Sequence, residues 1–234
     1  MKNQQIADPE AGNARDKLKN YYDNGYHNVI HAGMIEDEKY YRARSAAFSR
    51  LYFTESDRKL AVLDYGCGLG QTVAALPNAS GYDASREARG IARAHGVKTF
   101  ETTGDIPTNS FDIVICRHAL EHVPDPLEVL TSLGSYLKAD GKLVLILPKE
   151  KHYATPFTPD AHMHIYSWNF RCINNLLSLA GLQATRNDTL YNLGYRALLS
   201  LRGVIGVAGY ELATKVVGRI KNNGELVIHA TRLT

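Results

Sequence analysis

An apolar strand that runs directly into a glycine-rich turn is the feature that most limits the folds open to this chain. Residues 62–70 read Val-Leu-Asp-Tyr-Gly-Cys-Gly-Leu-Gly, so that Asp64 ends the strand and glycines stand at positions 66, 68 and 70. Glycine has no Cβ and adopts positive φ without penalty, which lets backbone N–H groups close around a ligand. The segment therefore predicts a ligand-binding turn at the carboxyl end of a strand.

The spacing and charge of this turn differ from those of a dinucleotide-binding turn. The dinucleotide fingerprint is G-x-G-x-x-G and holds a pyrophosphate, whereas the glycines here are spaced G-x-G-x-G. A carboxylate at Asp64 would repel a pyrophosphate but suits a ligand that carries an ammonium and a sulfonium. A second predicted strand ends on Asp83, 13 residues after Gly70, and an acid at that tip can accept both hydroxyls of a ribose.

These residues resemble the class I S-adenosylmethionine-dependent methyltransferases. The family motif D-x-G-C-G-x-G matches Asp64–Gly70, and Gly-Tyr-Asp-Ala-Ser at 81–85 matches the second motif. Residues 111–126 resemble the fourth-strand block of small-molecule methyltransferases, and residues 141–148 the fifth strand. The resemblance covers about residues 58–190. It implies a Rossmann-like, doubly wound α/β fold: a mostly parallel seven-stranded sheet with an antiparallel last strand, helices on both faces and an N-terminal helical cap.

Composition agrees with one globular enzyme. The chain has 234 residues and is 44% hydrophobic, which is enough to form a full hydrophobic core. Its formal net charge of +3 is too small to indicate binding of nucleic acid. Three cysteines without C-x-x-C spacing indicate reduced thiols. No apolar run is long enough for a membrane span, and the N-terminus lacks a leader pattern. We therefore predict a cytoplasmic protein, a monomer or homodimer, with no nucleic-acid partner and no membrane span.

Alternating strand and helix signals predict the order of elements. We predict a flexible tail at 1–13, a helical cap at 14–57 that includes an amphipathic helix within 36–53, and the cofactor domain at 58–234. Strands are predicted near 60–64, 79–83, 97–100, 111–116, 142–147, 183–190 and 225–230, and helices near 69–76, 85–95, 126–138 and 167–180, the last with Ser167 as N-cap and Gly181 as C-cap. A helical insertion at about 193–220 shapes either the substrate pocket or a dimer face.

The resemblance also implies which residues hold the cofactor, S-adenosylmethionine, and its product, S-adenosylhomocysteine. The predicted cofactor-binding residues are Asp64, Gly66, Cys67, Gly68, Gly70, Asp83, Ala84, Asp105, Arg117 and His118. Asp105 is assigned by its place in the third loop, where many relatives have an acid that holds the adenine amino group. Main-chain contacts from its neighbours, or a solvated turn aspartate, remain alternatives for that position.

Histidines supply the candidate general bases. If the acceptor is a hydroxyl, a base that titrates near neutral pH assists transfer, and histidine suits that role. We predict His122 and His164 as candidate bases, with a structural role as the alternative for His122. His162 and His164 have H-x-H spacing, but no third ligand follows. Arg117 stands where magnesium-dependent catechol methyltransferases have an acid, so no metal is predicted.

Absent motifs narrow the acceptor. The [DN]-P-P-[YF] motif of enzymes that methylate exocyclic amines is missing, and Cys116 is not preceded by the proline of cytosine C5 enzymes. These absences leave methyl transfer to a small-molecule, glycan or lipid-linked acceptor, at a hydroxyl oxygen. The alternative is a non-catalytic S-adenosylmethionine-binding regulatory or assembly module, and a hydride-transferring Rossmann enzyme ranks third.

Overall fold

A computed structural model of the chain describes residues 21–22, 26–150 and 162–233. The predicted tail at 1–13 lies outside the described residues, as do residues 14–20 and 23–25 of the predicted cap.

Seven strands form one sheet in the order β3-β2-β1-β4-β5-β7-β6. The strands are β1 Val62–Tyr65, β2 Ala79–Tyr82, β3 Lys98–Thr99, β4 Phe111–Arg117, β5 Leu137–Lys149, β6 Leu182–Tyr191 and β7 Gly224–Arg232. From β3 to β5 in this order, each strand runs parallel to its neighbour, whereas β7 runs antiparallel to both β5 and β6. The predicted fold, with its reversed last strand, is confirmed.

The helices flank this sheet. They are α1 His27–Ile30, α2 Ala32–Ile35, α3 Glu38–Tyr52, α4 Arg86–Ala94, α5 Pro126–Tyr136, α6 Phe170–Leu179 and α7 Arg202–Ile220. Four of the longer ones begin with a side-chain cap, in which the residue before the helix accepts a hydrogen bond from a backbone N–H three positions later. The capping residues are Asp37, Ser85, Asp125 and Asn169.

Two predictions about local structure were wrong. Residues 69–76 form successive turns rather than a helix; the segment is short, and Pro77 disfavours helical geometry at the residue before it. The N-cap of α6 is Asn169 rather than Ser167, because the Asn169 side chain accepts from the Cys172 N–H at 3.0 Å. Residues just before it are held elsewhere, since the Ile165 N–H donates to the Glu121 carbonyl at 2.8 Å.

The predicted amphipathic helix, α3, packs beside the glycine turn. Phe48 and Tyr41 are buried in the same core cluster as Val62 of β1. The Tyr41 hydroxyl also donates to the Leu69 carbonyl at 2.9 Å. This bond ties α3 to the turn that follows β1. The predicted boundary between cap and cofactor domain, after residue 57, stays a prediction because α3 and the sheet share one core.

The insertion between β6 and β7 consists of a short 3₁₀ turn, Leu199–Leu201, followed by α7. Gly206 interrupts α7 with φ 71° and ψ 178°, a conformation that glycine adopts readily. Tyr210 anchors α7, since its hydroxyl donates to the Tyr195 carbonyl at 2.7 Å. Within the described ranges, no helix combines the length and the apolarity that crossing a bilayer requires.

Candidate functional site

A cavity of about 1280 Å³ opens at the carboxyl ends of β1, β2 and β4. The strand order reverses between β1 and β4, because β2 and β3 lie on one side of β1 whereas β4 and β5 lie on the other, and ligands of open α/β sheets bind at such switch points. The cavity is lined by the glycine turn, by the strand tips and by side chains of α1 and α2. Its volume exceeds that of many single-ligand pockets, so that a cofactor and an acceptor fit together.

Two of the three glycines of the turn are required by space as well as by φ. Gly66 has φ 79°, and a Cβ there would lie 2.3 Å from the Ala119 Cβ. Gly70 also has φ 79°, and its Cβ would lie 2.9 Å from Val97. At Gly68, with φ 53°, the nearest atoms to such a Cβ are side-chain atoms 3.6 Å away or more. The constraint at Gly68 is therefore φ rather than space, and Gly68 lines the cavity together with Gly66.

Asp83 fixes this turn from the tip of β2. Its buried carboxylate accepts hydrogen bonds from the Gly68 N–H at 2.8 Å and from the Ser85 N–H at 2.9 Å. Burial raises the pKa of Asp83, but His27 and the two N–H donors outweigh burial and hold the pKa below its ordinary value. Asp83 is therefore an ionised acceptor that faces the cavity, where the sequence predicts a ribose.

Asp64 is a buried carboxylate behind the turn. Neither of its oxygens has a hydrogen-bond partner among the described residues, and burial raises its pKa to about 7. A cationic ligand nearby would favour the ionised form of such an acid. Together with Gly68 and Asp83, this unpaired group fits S-adenosylmethionine, whose sulfonium and ammonium are positive.

The structure distributes the predicted cofactor residues between the cavity wall and the layer behind it. Gly66, Gly68, Asp83, Ala84, Arg117 and His118 line the cavity, whereas Asp64, Cys67, Gly70 and Asp105 do not. The Cys67 sulfur packs toward β2, 2.7 Å from where a Gly81 Cβ would lie. The Asp105 carboxylate accepts hydrogen bonds from the Thr102 N–H and hydroxyl, both at 2.9 Å. The roles of Asp64, Cys67, Gly70 and Asp105 as cofactor contacts stay predictions.

An ionic network ties the β4 tip to β7. Glu225, 5% exposed, accepts from the Arg117 guanidinium at 2.6 Å and lies 2.8 Å from His118 Nε2. It also accepts from the Tyr52 hydroxyl at 2.5 Å and from the Asn192 amide at 3.0 Å. One carboxylate thus joins α3, β4, β7 and the segment after β6. Two of its partners line the cavity, so Glu225 sets their positions.

His118 stands in a strained position between two acids. Its φ is +49°, which is uncommon outside glycine and typical of functional sites. Its Nδ1 lies 3.4 Å from Glu121 and its Nε2 2.8 Å from Glu225. Burial, the largest effect, and Arg117 lower the pKa of His118, but the two carboxylates outweigh them and raise it above 6.5.

This shift predicts a pH dependence of stability. A raised pKa in the folded state means that protonated His118 contributes its full stabilisation below about pH 6.5, and that the contribution is lost as pH rises through the folded-state pKa. NMR titration of the imidazole should give a pKa above 6.5. In His118→Gln, the free energy of unfolding should fall less than in the wild type as the pH rises above 6.5. A pKa at or below 6.5 would contradict the bridged geometry.

The two candidate bases lie side by side. The rings of His122 and His164 are 4.8 Å apart, centre to centre, at an angle of 69°. His122 Nδ1 is hydrogen-bonded to the Tyr22 hydroxyl at 2.8 Å, and burial lowers the pKa of His122 to about 4. His164 Nδ1 is hydrogen-bonded to the Glu150 carboxylate, which leaves Nε2 of His164 as the ring nitrogen able to accept a proton.

The same place could hold a metal ion. One ligand atom each from Glu121, His122 and His164 lie within 4.8 Å of one another, and a carboxylate with two imidazoles is a usual ligand set for zinc. The expected absence of a metal therefore stays a prediction. His162 lines the cavity beside them.

Several residues of the cavity were not among the predicted site residues. Tyr22, Tyr26, His27 and His31 line it, and His27 Nε2 lies 3.8 Å from Asp83. Two signals in the sequence could have found these residues: the density of aromatics just before α1 and the four-residue spacing of the two histidines. Glu225 could have been noticed as a lone acid at the start of an apolar strand.

Comparison with known proteins identifies the family of the chain. A family model described as a methyltransferase domain matches residues 37–187. The ubiquinone biosynthesis O-methyltransferase of Haemophilus ducreyi is 37% identical over 102 residues, which cover 36% of this chain and 43% of that protein. The enzyme of the same name from Xanthomonas oryzae pv. oryzae is 37% identical over 98 residues, 36% of this chain and 41% of that protein. The match thus spans less than half of these relatives.

Solved structures share the fold. The 1,6-didemethyltoxoflavin-N1-methyltransferase of Burkholderia thailandensis, bound to S-adenosylhomocysteine, superposes with a TM-score of 0.59 at 17% identity and covers 98% of this chain and 94% of its own. Magnesium protoporphyrin IX methyltransferase of Synechocystis, bound to S-adenosylmethionine, gives 0.58 at 15% identity, with 96% and 100% covered.

Proposed function

Because this chain belongs to the class I S-adenosylmethionine-dependent methyltransferases, we propose that it transfers the methyl group of that cofactor to a hydroxyl oxygen of a small-molecule, glycan or lipid-linked acceptor. When bound, the cofactor supplies a carbon already activated by the sulfonium. The protein then has to hold the acceptor in line with that carbon and remove the hydroxyl proton.

The cofactor half of the cavity supports this proposal. The Gly68 backbone and the Asp83 carboxylate would hold the nucleoside end, and Asp64 lies behind the turn as the charge that favours a cationic ligand. We assign the cofactor site to these three residues and to Gly66, Ala84 and His118.

The observation that carries the choice of a hydroxyl acceptor is the pairing of His164 with Glu150 at the cavity wall. A carboxylate that accepts from Nδ1 orients the ring and fixes its tautomer, which leaves Nε2 free to accept the proton. Burial lowers the pKa of His122 to about 4, which makes His122 a weak base. We therefore assign the general base to His164, and to His122 a positioning role, held through Tyr22.

The assignment predicts a division between turnover and binding. His164→Ala should lower kcat by about 10²–10⁴-fold, the usual contribution of a general base. It should leave S-adenosylhomocysteine affinity within about twofold, because His164 lies beyond the predicted cofactor contacts. Glu150→Gln should lower kcat less and shift the pH profile of kcat, since an orienting group acts through the base.

The measurement is release of S-adenosylhomocysteine with a panel of catechols, phenols, sugars and isoprenoid-linked phenols, alongside calorimetric affinity for the product. His162→Ala, a neighbouring histidine of the same wall, is the matched control. Unchanged turnover of His164→Ala on an accepted substrate would sink the base assignment. Running each assay with and without a chelator tests whether Glu121, His122 and His164 hold a required metal instead.

A chain that binds the cofactor but methylates no acceptor of any class would favour the non-catalytic module. The O-methyltransferase names of the sequence relatives support a hydroxyl acceptor. Because the match spans 43% and 41% of those proteins, their acceptor is one member of the panel rather than the expected substrate.

A further inference from the structure

The insertion between β6 and β7 carries an exposed apolar surface. Of the thirteen large hydrophobic side chains that are exposed in the described part of the chain, eight lie within residues 193–220. Scattered exposed apolar residues are normal, but a cluster of this kind marks an interaction site.

From Tyr210 onward, the exposed and the buried residues of α7 lie on different faces. Tyr210, Thr214 and Gly218 recur every four residues and are buried against the rest of the protein. Leu212, Val216 and Ile220 recur at the same interval on the opposite side, 63%, 48% and 76% exposed. Residues four apart share a helix face. The exposed row of the helix is therefore apolar, and we call this row, together with the exposed Val204 and Ile205 before the Gly206 break, the outer face of α7.

Basic residues accompany this face. Lys215 and Arg219 lie one turn apart beside Val216, and Arg202 and Lys221 stand at the two ends of the helix. The one acid in the helix, Glu211, forms an ion pair with Arg50 of α3 at 2.5 Å. The outer face thus combines apolar side chains with a net positive charge.

Charge decides between the possible occupants. In a symmetric dimer through this face, Lys215 and Arg219 of each chain would lie against the same basic patch of the other chain. The one acid of α7, Glu211, is already paired with Arg50, so no acid of the helix is left to pair with them. An anionic lipid surface presents phosphates to the basic residues and acyl chains to Leu212, Val216 and Ile220. A helix with these properties lies in the membrane interface without crossing it.

We propose that the outer face of α7 docks the protein onto an anionic lipid bilayer. The insertion also reaches the active-site cavity. Arg196 lines the cavity, and the carbonyl of the adjacent Tyr195 accepts a hydrogen bond from the Tyr210 hydroxyl of α7. Docking would therefore place the cavity near the membrane surface, where a lipid-linked acceptor resides. That consequence rests on the proposed function, whereas docking itself does not.

The test is co-sedimentation of the full chain with vesicles of phosphatidylglycerol and phosphatidylcholine, compared with phosphatidylcholine alone, at low and high salt. We expect binding to the anionic vesicles that falls at least tenfold in 0.5 M salt. The double variant Leu212→Glu/Val216→Glu should bind at least tenfold more weakly. Leu179→Glu on α6 is the matched control, because Leu179 is 74% exposed but lies outside the insertion, and it should bind as the wild type does.

Three outcomes would overturn the proposal. The wild type could fail to bind anionic vesicles, the double variant could bind as well as Leu179→Glu, or light scattering could show a dimer that only the double variant loses, which would identify a homodimer face. Circular dichroism checks that the variants fold. The variant Lys215→Gln/Arg219→Gln changes no apolar residue and measures separately how much the basic residues contribute to vesicle binding. Because sedimentation requires no turnover, failure of docking and failure of the proposed acceptor are distinguishable.

Discussion

Asp83→Ala should weaken binding of S-adenosylhomocysteine by about 1–3 kcal/mol, roughly five- to 150-fold. The Asp83 carboxylate is a buried, ionised acceptor at the tip of β2, and the sequence predicts that the ribose of the cofactor binds there. Its removal would take away the predicted acceptor for the ribose hydroxyls. It also leaves the Gly68 N–H without its 2.8 Å hydrogen bond.

Calorimetric titration with S-adenosylmethionine and S-adenosylhomocysteine measures this effect, with NADH as the ligand that should not bind. Asp112→Ala is the matched control. Asp112 is also an aspartate that accepts a backbone N–H, from Ala61 at 2.9 Å, but it lies near the opposite end of β4. The control should lower stability without changing affinity. Equal affinities of Asp83→Ala and the wild type would remove Asp83 from the site.

Glu225→Ala should lower the free energy of unfolding by about 3–5 kcal/mol, the usual cost of breaking a buried ion pair from one side. The substitution leaves the Arg117 guanidinium, whose side chain is 11% exposed, without its carboxylate. It also removes hydrogen bonds to Tyr52 and Asn192. Because Arg117 and His118 line the cavity, cofactor affinity should fall as well.

Urea denaturation with linear extrapolation measures the change. Glu211→Ala breaks the partly exposed pair with Arg50 and, as a control, should cost at most about 1 kcal/mol. The double variant Glu225→Leu/Arg117→Met should lose less stability than Glu225→Ala, because it also removes the uncompensated charge of Arg117. A loss below about 1 kcal/mol for Glu225→Ala would mean that water reaches Arg117 and that the network does not hold the site together.

The fold and the cofactor half of the site could be predicted because their signals are local. Asp64 and the glycine turn occupy one short stretch, and Asp83 ends the next strand, so strand order alone brings them to one sheet edge. The helix predicted at 69–76 was wrong for a reason that apolar spacing does not report. Gly70, inside the segment, has a positive φ of 79°, and Pro77 follows the segment directly.

The acceptor half could be predicted only as a set of residue types. His122 and His164 were identified by their loops, but their different environments depend on Tyr22 and Glu150, which no spacing connects to them. Glu225 is 107 residues from His118, and nothing in either segment marks the other as its partner.

The sequence by itself determined the fold, the cofactor and the strand tips that line the cavity, because these follow from residues close together in the chain and from the parallel order of the strands. Only the tertiary structure decided which acid pairs with Arg117, which histidine has an orienting carboxylate and which face of α7 stays exposed. Periodicity reports that a side chain is apolar or polar. The partner it meets depends on long-range packing, which brings distant segments within hydrogen-bond reach only once the sheet has assembled.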